Sequence, residues 1–176
     1  MQLRPYQQDA VDSAIAWMRK STEPALLGLS TGAGKSHIAA AIALWITQKT
    51  GKKVLVLQPS KELTSQNFEK YLATGEKASI FSASANSKCT RHNVVYATPK
   101  TVLNSISRFG DAFACVIVDE CHMTTPTIKQ IIAHIAAKNP MLRVIGMTAT
   151  PYRMGTGYIY QYDATGERIS KLDTDE

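Results

Sequence analysis

The sequence contains no apolar run approaching the ~20 residues that a membrane-spanning helix needs. Its start, Met1-Gln2-Leu3-Arg4-Pro5, lacks a basic stretch followed by an apolar one. A secretory leader is therefore not expected, and the cytoplasm, or another compartment that holds nucleic acid, is the expected location. Cysteine is scarce. Cys89, Cys115 and Cys121 are odd in number and show no C-x-x-C spacing, which excludes a disulfide framework and a zinc site built from these residues alone. Acid is in deficit, with 14 Asp and Glu against 20 Lys and Arg, a net charge of +6. That balance permits a polyanionic partner without requiring one, because a basic surface also keeps a protein in solution. No internal repeat or low-complexity segment is present. The 176 residues suit one domain with a proper core and are too few for two.

What is present is organised around Leu29-Ser30-Thr31-Gly32-Ala33-Gly34-Lys35-Ser36. An apolar run, 25–29, leads in, and a helical pattern from His37 to Gln48 leads out. Strand, glycine-bearing turn and helix form the context of a phosphate-binding loop. Gly32 and Gly34 let the backbone turn tightly around an anion, and the helix adds its unpaired N–H groups. Lys35 then reaches the β- and γ-phosphates of a nucleoside triphosphate, and the Ser36 hydroxyl is placed to bind Mg2+. The general pattern G-x-x-x-x-G-K-[ST] would put glycine where Leu29 stands, and Gly28 comes one residue too early. The bland alternative, a strand-to-helix turn with a surface lysine and serine, does not explain why all three contexts agree.

In chain order, a helix follows Leu3-Arg4-Pro5-Tyr6-Gln7-Gln8, with Ala10, Val11, Ala14, Ile15 and Met18 on one face and Pro5 in its first turn. The run 25–29 reads as the first central strand. Lys53 to Leu57 reads as a buried strand of the continuous apolar kind. Ser60 is a plausible N-cap for the helix carrying Leu63, Phe68, Tyr71 and Leu72. A strand at 78–81, a polar loop at 82–92, a strand at 94–96 and a helix from Thr98-Pro99 to about Arg108 follow. Then come a strand at 114–118, a helix at 127–138 and a strand at 143–147. Strands and helices alternate, and each crossover is long enough for a helix. The expected fold is α/β, a mainly parallel sheet with helices on both faces. Beyond Tyr152 the pattern dissolves. Residues 1–151 read as the domain and 152–176 as a segment leaving it.

Function in such a sheet sits at the carboxyl ends of the strands. Val116-Ile117-Val118 ends in Asp119-Glu120-Cys121-His122. Asp119 is placed to hold Mg2+ opposite Ser36, and Glu120 to orient and deprotonate an attacking water. Adjacent carboxylates repel each other unless a cation is near, so the pair reads as a metal and catalytic site rather than a solvated strand end. Cys121 fills space, and His122 hydrogen-bonds within the site. The last strand ends in Thr148-Ala149-Thr150-Pro151, whose hydroxyls could sense the acidic strand and pass its state on.

These motifs together resemble the first RecA-like domain of a superfamily 2 helicase, of the DECH-bearing kind within the DEAD/DEAH-like group. The resemblance covers about Leu3 to Arg153. Motif I of this family often lacks the upstream glycine, which accommodates Leu29. Asp119-Glu120-Cys121-His122 matches motif II, the DECH box, and Thr148-Ala149-Thr150 matches motif III. Gln7 matches the family's adenine-reading glutamine, with Arg4 or Tyr6 able to stack on the base. His122 and the loop residues Thr31 to Ser36 complete the expected nucleotide contacts. Pro59-Ser60-Lys61 resembles motif Ia, and Thr98-Pro99-Lys100 a later strand-gripping motif. Both offer hydroxyls, a lysine and helix N-terminal N–H groups to a phosphate backbone, with no base-reading pattern. The resemblance implies an ATP- and Mg2+-dependent motor on single-stranded or forked DNA, without strong sequence preference. More narrowly, the Leu3–Gln8 run, the DECH box and Thr148-Ala149-Thr150-Pro151 with Tyr158-Ile159-Tyr160-Gln161-Tyr162 look like the RadD group of bacterial DNA repair helicases.

The same resemblance implies a second RecA-like domain that supplies an arginine finger, for which these residues leave no room. A domain of a longer chain is therefore expected, with little activity on its own. Two other classes compete. A small-molecule kinase would share the loop, but not the Thr-Ala-Thr and motif Ia-like segments. A nucleotide-dependent nucleic-acid-binding module without independent catalysis, or an RNA rather than a DNA helicase, would share all of them.

Overall fold

A computed structural model describes residues 2–30, 32–121 and 125–149, together with the backbone of four two-residue strands between 152 and 169. Five α-helices cover the two faces of a sheet, and the sequence accounts for most of them. Helix α1 (Pro5–Lys20) opens with proline at its first position, where a missing N–H has no consequence. It buries Val11, Ala14 and Met18, spaced three and four apart. Strand β1 (Ala25–Gly28) leads through the glycine-bearing loop to α2 (Lys35–Thr50). Helix α2 is apolar on several sides, burying Ile38, Ala39, Ala40, Ile42, Ala43 and Ile46. It touches the sheet below and both α1 and α3 beside it, which explains its unbroken apolar run. Strand β2 (Lys53–Leu57) precedes α3 (Lys61–Leu72). Ser60 caps α3 as expected, its hydroxyl accepting the N–H of Leu63.

The remaining elements are β3 (Ser79–Ser82), β4 (Ser87–Lys88), β5 (Val94–Ala97), α4 (Pro99–Asn104), β6 (Phe113–Asp119), α5 (Pro126–Lys138) and β7 (Arg143–Thr148). The seven strands lie in the order β1-β7-β6-β2-β5-β3-β4, parallel throughout except for the antiparallel β3–β4 pair. Side chains alternate between the two faces. Val54, Val56, Val94, Tyr96, Cys115, Ile117, Ile145 and Met147 pack under α1, α2 and α3. Leu55, Leu57, Val95, Ala97, Val116 and Val118 pack on the face of α4 and α5. Each fully buried aliphatic side chain of this kind contributes about 1.5–3 kcal/mol. The fold is the expected three-layer α/β sandwich.

Four expectations need correction. The run at 25–29 is not a central strand: among the described residues β1 pairs only with β7 and forms the sheet's edge. Its apolar run signals burial on both faces and carries no information on how many neighbours flank it. The polar stretch 82–92 is not all loop, because a 3-10 turn at Ala83–Ala85 and strand β4 fold it back onto β3. The β3-to-β5 connection consequently has no α-helix. The helix after Thr98 stops at Asn104, and Ile106–Arg108 continues as a separate 3-10 turn. Beyond Tyr152, the backbone forms two short antiparallel pairs, 152–153 with 157–158 and 161–162 with 168–169.

One close approach fixes how β7 passes β6. A Cβ at Gly146 would lie 2.8 Å from Cys121 Sγ and 3.1 Å from its Cβ. Cys121 is itself buried, so neither side has room to give. Gly146→Ala should therefore lower stability by about 1–3 kcal/mol, the usual cost of overpacking. Combining it with Cys121→Ala should recover most of that loss. Chemical denaturation of the two single variants and the double variant gives the coupling energy.

Candidate functional site

The loop between β1 and α2 is shaped by its own backbone and by α1. Gly32 and Gly34 have φ of +83° and +77°, a region where a side chain is strained. The N–H of Ala33 donates to the carbonyl of Ser30 at 3.0 Å, closing the turn. Gly34 caps α2, its carbonyl accepting the N–H groups of His37 at 3.0 Å and Ile38 at 3.2 Å. Lys35 and Ser36 thus begin the helix, where N–H groups have no partner in a preceding turn.

Helix α1 holds this loop through its first turn. Gln7, buried, donates from Nε2 to the carbonyl of Ala33 at 2.9 Å, while its Oε1 accepts the N–H of Arg4 at 2.9 Å. The Tyr6 hydroxyl donates to the same carbonyl at 3.1 Å, leaving its ring 43% exposed. Gly34 passes so close that a Cβ there would stand 2.3 Å from Gln7 Nε2. The sequence pointed to Gln7 and Tyr6 as base contacts. Their hold on the phosphate loop was not legible, because it spans 26 and 27 residues.

Lys35 Nζ forms a salt bridge with Glu120, which follows β6. This bridge puts the loop and the acidic strand tip on one edge of the sheet, as the sequence motifs require. The two side chains are 15% and 25% exposed. Glu120 has φ of +49°, and its N–H donates to Asp119 Oδ1 at 2.9 Å. Asp119 is buried at the end of β6, in register with Met147 of β7. Thr148, the next residue of β7, is fully buried, pairs with Gly28 and accepts the N–H of Leu29 at 2.9 Å. It therefore lies against the entry to the loop on one side and next to the acidic strand on the other. Thr31, His122 and Thr150 lie outside the described residues.

A second cluster sits beside the carboxylates. A cleft of about 450 Å3 is lined by Pro59, Thr98, Pro99 and Lys100 together with Asp119 and Glu120. Lys100 is exposed, and the Thr98 hydroxyl donates to Thr101 Oγ1 at 2.9 Å. Ser60 and Lys61 open α3 nearby in sequence; Lys61 is exposed and sits 4.0 Å from Glu62. The sequence reading missed the far wall of this cleft, Thr125 and Thr127 at the start of α5. The signal was available in Thr-Pro-Thr, since Thr125 accepts the N–H of Ile128 at 3.4 Å and caps a helix with proline first. It also missed Gln58, buried at the end of β2, whose Oε1 has no hydrogen-bond partner.

The family model described as type III restriction enzyme, res subunit, matches residues 1–153. The ATP-dependent DNA helicase fml1 of Schizosaccharomyces pombe is 28% identical over 163 residues, 84% of this chain and 19% of its own length. A Methanocaldococcus jannaschii protein, provisionally described as an ATP-dependent RNA helicase, is 30% identical over 164 residues, 86% of this chain and 20% of its own. The chain thus spans about a fifth of these curated relatives. The crystal structure of the UvsW helicase from bacteriophage T4 superposes with a TM-score of 0.69 at 25% identity, covering 85% of this chain and 53% of that one.

Gly34→Ala should strain the loop by about 1–2 kcal/mol from the left-handed backbone alone. It should also displace the Gln7 amide. Adding Gln7→Ala should relieve the collision but leave the backbone strain. Thermal unfolding should rank wild type first, the double variant second and Gly34→Ala last.

Proposed function

We propose that this chain, which belongs to the family described as type III restriction enzyme, res subunit, is the ATP-binding, RecA-like half of a superfamily 2 nucleic-acid motor. One observation carries the reading: the Lys35–Glu120 bridge joins a phosphate-binding loop to an acidic strand tip, beside a cleft lined by backbone-gripping residues. Without nucleotide, the lysine and the carboxylate neutralise each other. Triphosphate draws Lys35 onto its β- and γ-oxygens, which frees Glu120 to accept a proton from water.

The donor set fits magnesium, which prefers oxygen ligands and keeps several waters. Ser36 and Asp119 supply a hydroxyl and a carboxylate oxygen. Among the described residues no cluster of three or more His, Cys, Asp or Glu forms a metal site, so phosphate and water complete the shell. When bound, the ion neutralises charge on the transferring phosphate.

Adenine recognition follows from the fixed Gln7 amide. One of its N–H groups goes to Ala33 and one lone pair to Arg4, leaving one of each. Adenine offers N7 to the remaining N–H and its N6 amino group to the remaining lone pair. Guanine presents O6 there, an acceptor facing an acceptor. ATP is therefore the nucleotide, with Arg4 or Tyr6 stacking on the base.

The names of the relatives support DNA as the track, and fml1 supports a helicase or translocase. Pro59, Ser60, Lys61, Thr98, Pro99 and Lys100 hold the backbone of single-stranded or forked DNA, without strong sequence preference. Thr148 and Thr150 relay the state of the acidic strand. A second RecA-like domain closes on the nucleotide and supplies the arginine finger. The finer likeness to the RadD group, with a cytoplasmic role in DNA repair, rests on the Leu3–Gln8 run, the DECH box, Thr148-Ala149-Thr150-Pro151 and the 158–162 segment. The archaeal relative's description favours RNA as the second reading.

Lys35→Ala should weaken ATP binding roughly 10- to 150-fold, the worth of a charged hydrogen bond. Glu120→Gln should leave binding intact and lower turnover by about 10²–10⁴-fold. Titration with labelled ATP and a DNA-stimulated ATPase assay on the complete natural chain check both. Equal loss of affinity in the two variants would refute the assigned roles. Gln7→Ala should bring ATP and GTP affinities together, read by competition against the same label.

A further inference from the structure

The amino ends of the strands carry a second polar cleft, on the edge opposite the nucleotide loop. It measures about 520 Å3 and is walled by Gln48, Tyr71, Glu76, Lys77, Arg91 and His92. Gln48 stands in the last turn of α2, Glu76 and Lys77 in the turn before β3, and Arg91 and His92 in the loop before β5.

That loop is exposed and polar, yet it is tied down at almost every residue. Lys53 Nζ donates to three successive carbonyls, of Thr90 at 2.7 Å, Arg91 at 3.2 Å and His92 at 3.1 Å. Ser79 Oγ accepts the N–H of His92 at 2.9 Å, and Cys89 Sγ accepts that of Arg91 at 3.5 Å. Arg108 donates to the carbonyl of Lys88 at 2.9 Å and lies 5.0 Å from the centre of the Phe81 ring. Two cations thus hold the loop that carries Arg91 at the cleft, and Lys77 lines it from the connection before β3. Tyr71 adds a neutral wall, its hydroxyl pushed up to about 12 chiefly by burial and secondarily by Glu76.

Basic residues at this edge have an ordinary explanation, because every helix of a parallel α/β fold ends there. Arg19, Lys20, Lys49, Lys70 and Lys138 stand in last turns, where they offset the helix dipole. Lys77 and Arg91 do not, since one follows α3 by five residues and the other lies between strands. A protein partner would need apolar anchors. Here Tyr71 and Val94 are buried and Leu44 is half-buried, and the exposed lining residues Gln48, Glu76, Lys77, Arg91 and Asn93 are charged or amide-bearing.

We propose that this cleft holds a backbone phosphate of nucleic acid outside the motor track, on the duplex arm of a fork. The inference rests on the nucleic-acid reading above. The cleft lies at the amino end of β5, and Thr98 and Pro99 follow its carboxyl end, so the phosphate bound here lies off the edge that carries the track.

The test uses the complete natural chain with Lys77→Ala and Arg91→Ala combined, beside Lys77→Arg with Arg91→Lys. Binding is measured over a range of KCl to a single strand of about ten nucleotides, enough to fill a single-strand site, and to a fork with a duplex arm of two helical turns. Each lost phosphate contact lowers the slope of log K against log salt by about 0.9. The alanine pair should lose about 0.9 of slope on the fork and none on the short strand, with unchanged melting temperature and short-strand ATPase. The charge-keeping pair should restore the fork slope. A wild-type slope on the fork for the alanine pair would overturn the proposal and transfer the cleft to an acidic protein. Equal losses on both DNAs would overturn it as well. Failure of the unsubstituted chain to bind either DNA would instead refute the nucleic-acid function, and this inference with it.

Discussion

The salt bridge between Lys35 and Glu120 is the constraint on which the rest of the molecule depends. Its partners are 85 residues apart. They meet only because β1 and β6 point the same way, with β7 inserted between them. Connections between parallel strands must recross the domain, and the carboxyl ends of all strands but β4 therefore lie on the same edge. The bridge is partly exposed, and pairs of that kind contribute little to stability. Its importance is positional. It holds the loop's lysine against the carboxylate that follows β6, and so joins two stretches far apart in sequence.

Around that bridge, each flanking element has at least one residue that commits it to the same edge of the sheet. Helix α1 does so through Gln7, whose amide donates to the carbonyl of Ala33. Strand β7 does so through Thr148, whose carbonyl receives the N–H that begins the loop. Helices α4 and α5 bring Thr98, Lys100 and Thr125 to the same cleft as the carboxylates. The cleft and the carboxylates therefore share one wall, with no intervening element between them.

Much of this was legible in the sequence because the relevant signals are local. The glycines of the loop, the proline opening α1 and the Ser60 cap are each decided within four residues. The continuous apolar strands are equally local and announce burial on both faces. What was not legible depends on pairing across the chain. An apolar run such as 25–29 has the same composition at a sheet's edge as at its centre, so its edge position was read wrongly. Strand β4 is two residues long and polar, held by its antiparallel partner rather than by its own preference. The closeness of Cys121 to Gly146 depends on how two neighbouring strands end, which neither stretch encodes alone.

Glu120 sits in the left-handed backbone region, at a cost of about 1–2 kcal/mol for a residue with a Cβ. Glycine or asparagine would adopt that geometry with less strain. Its retention of a charged, strained residue at the strand tip means that the domain does not occupy the stability maximum open to its fold. A library selected for stability alone would favour glycine or asparagine here, and with either the pairing to Lys35 would be lost.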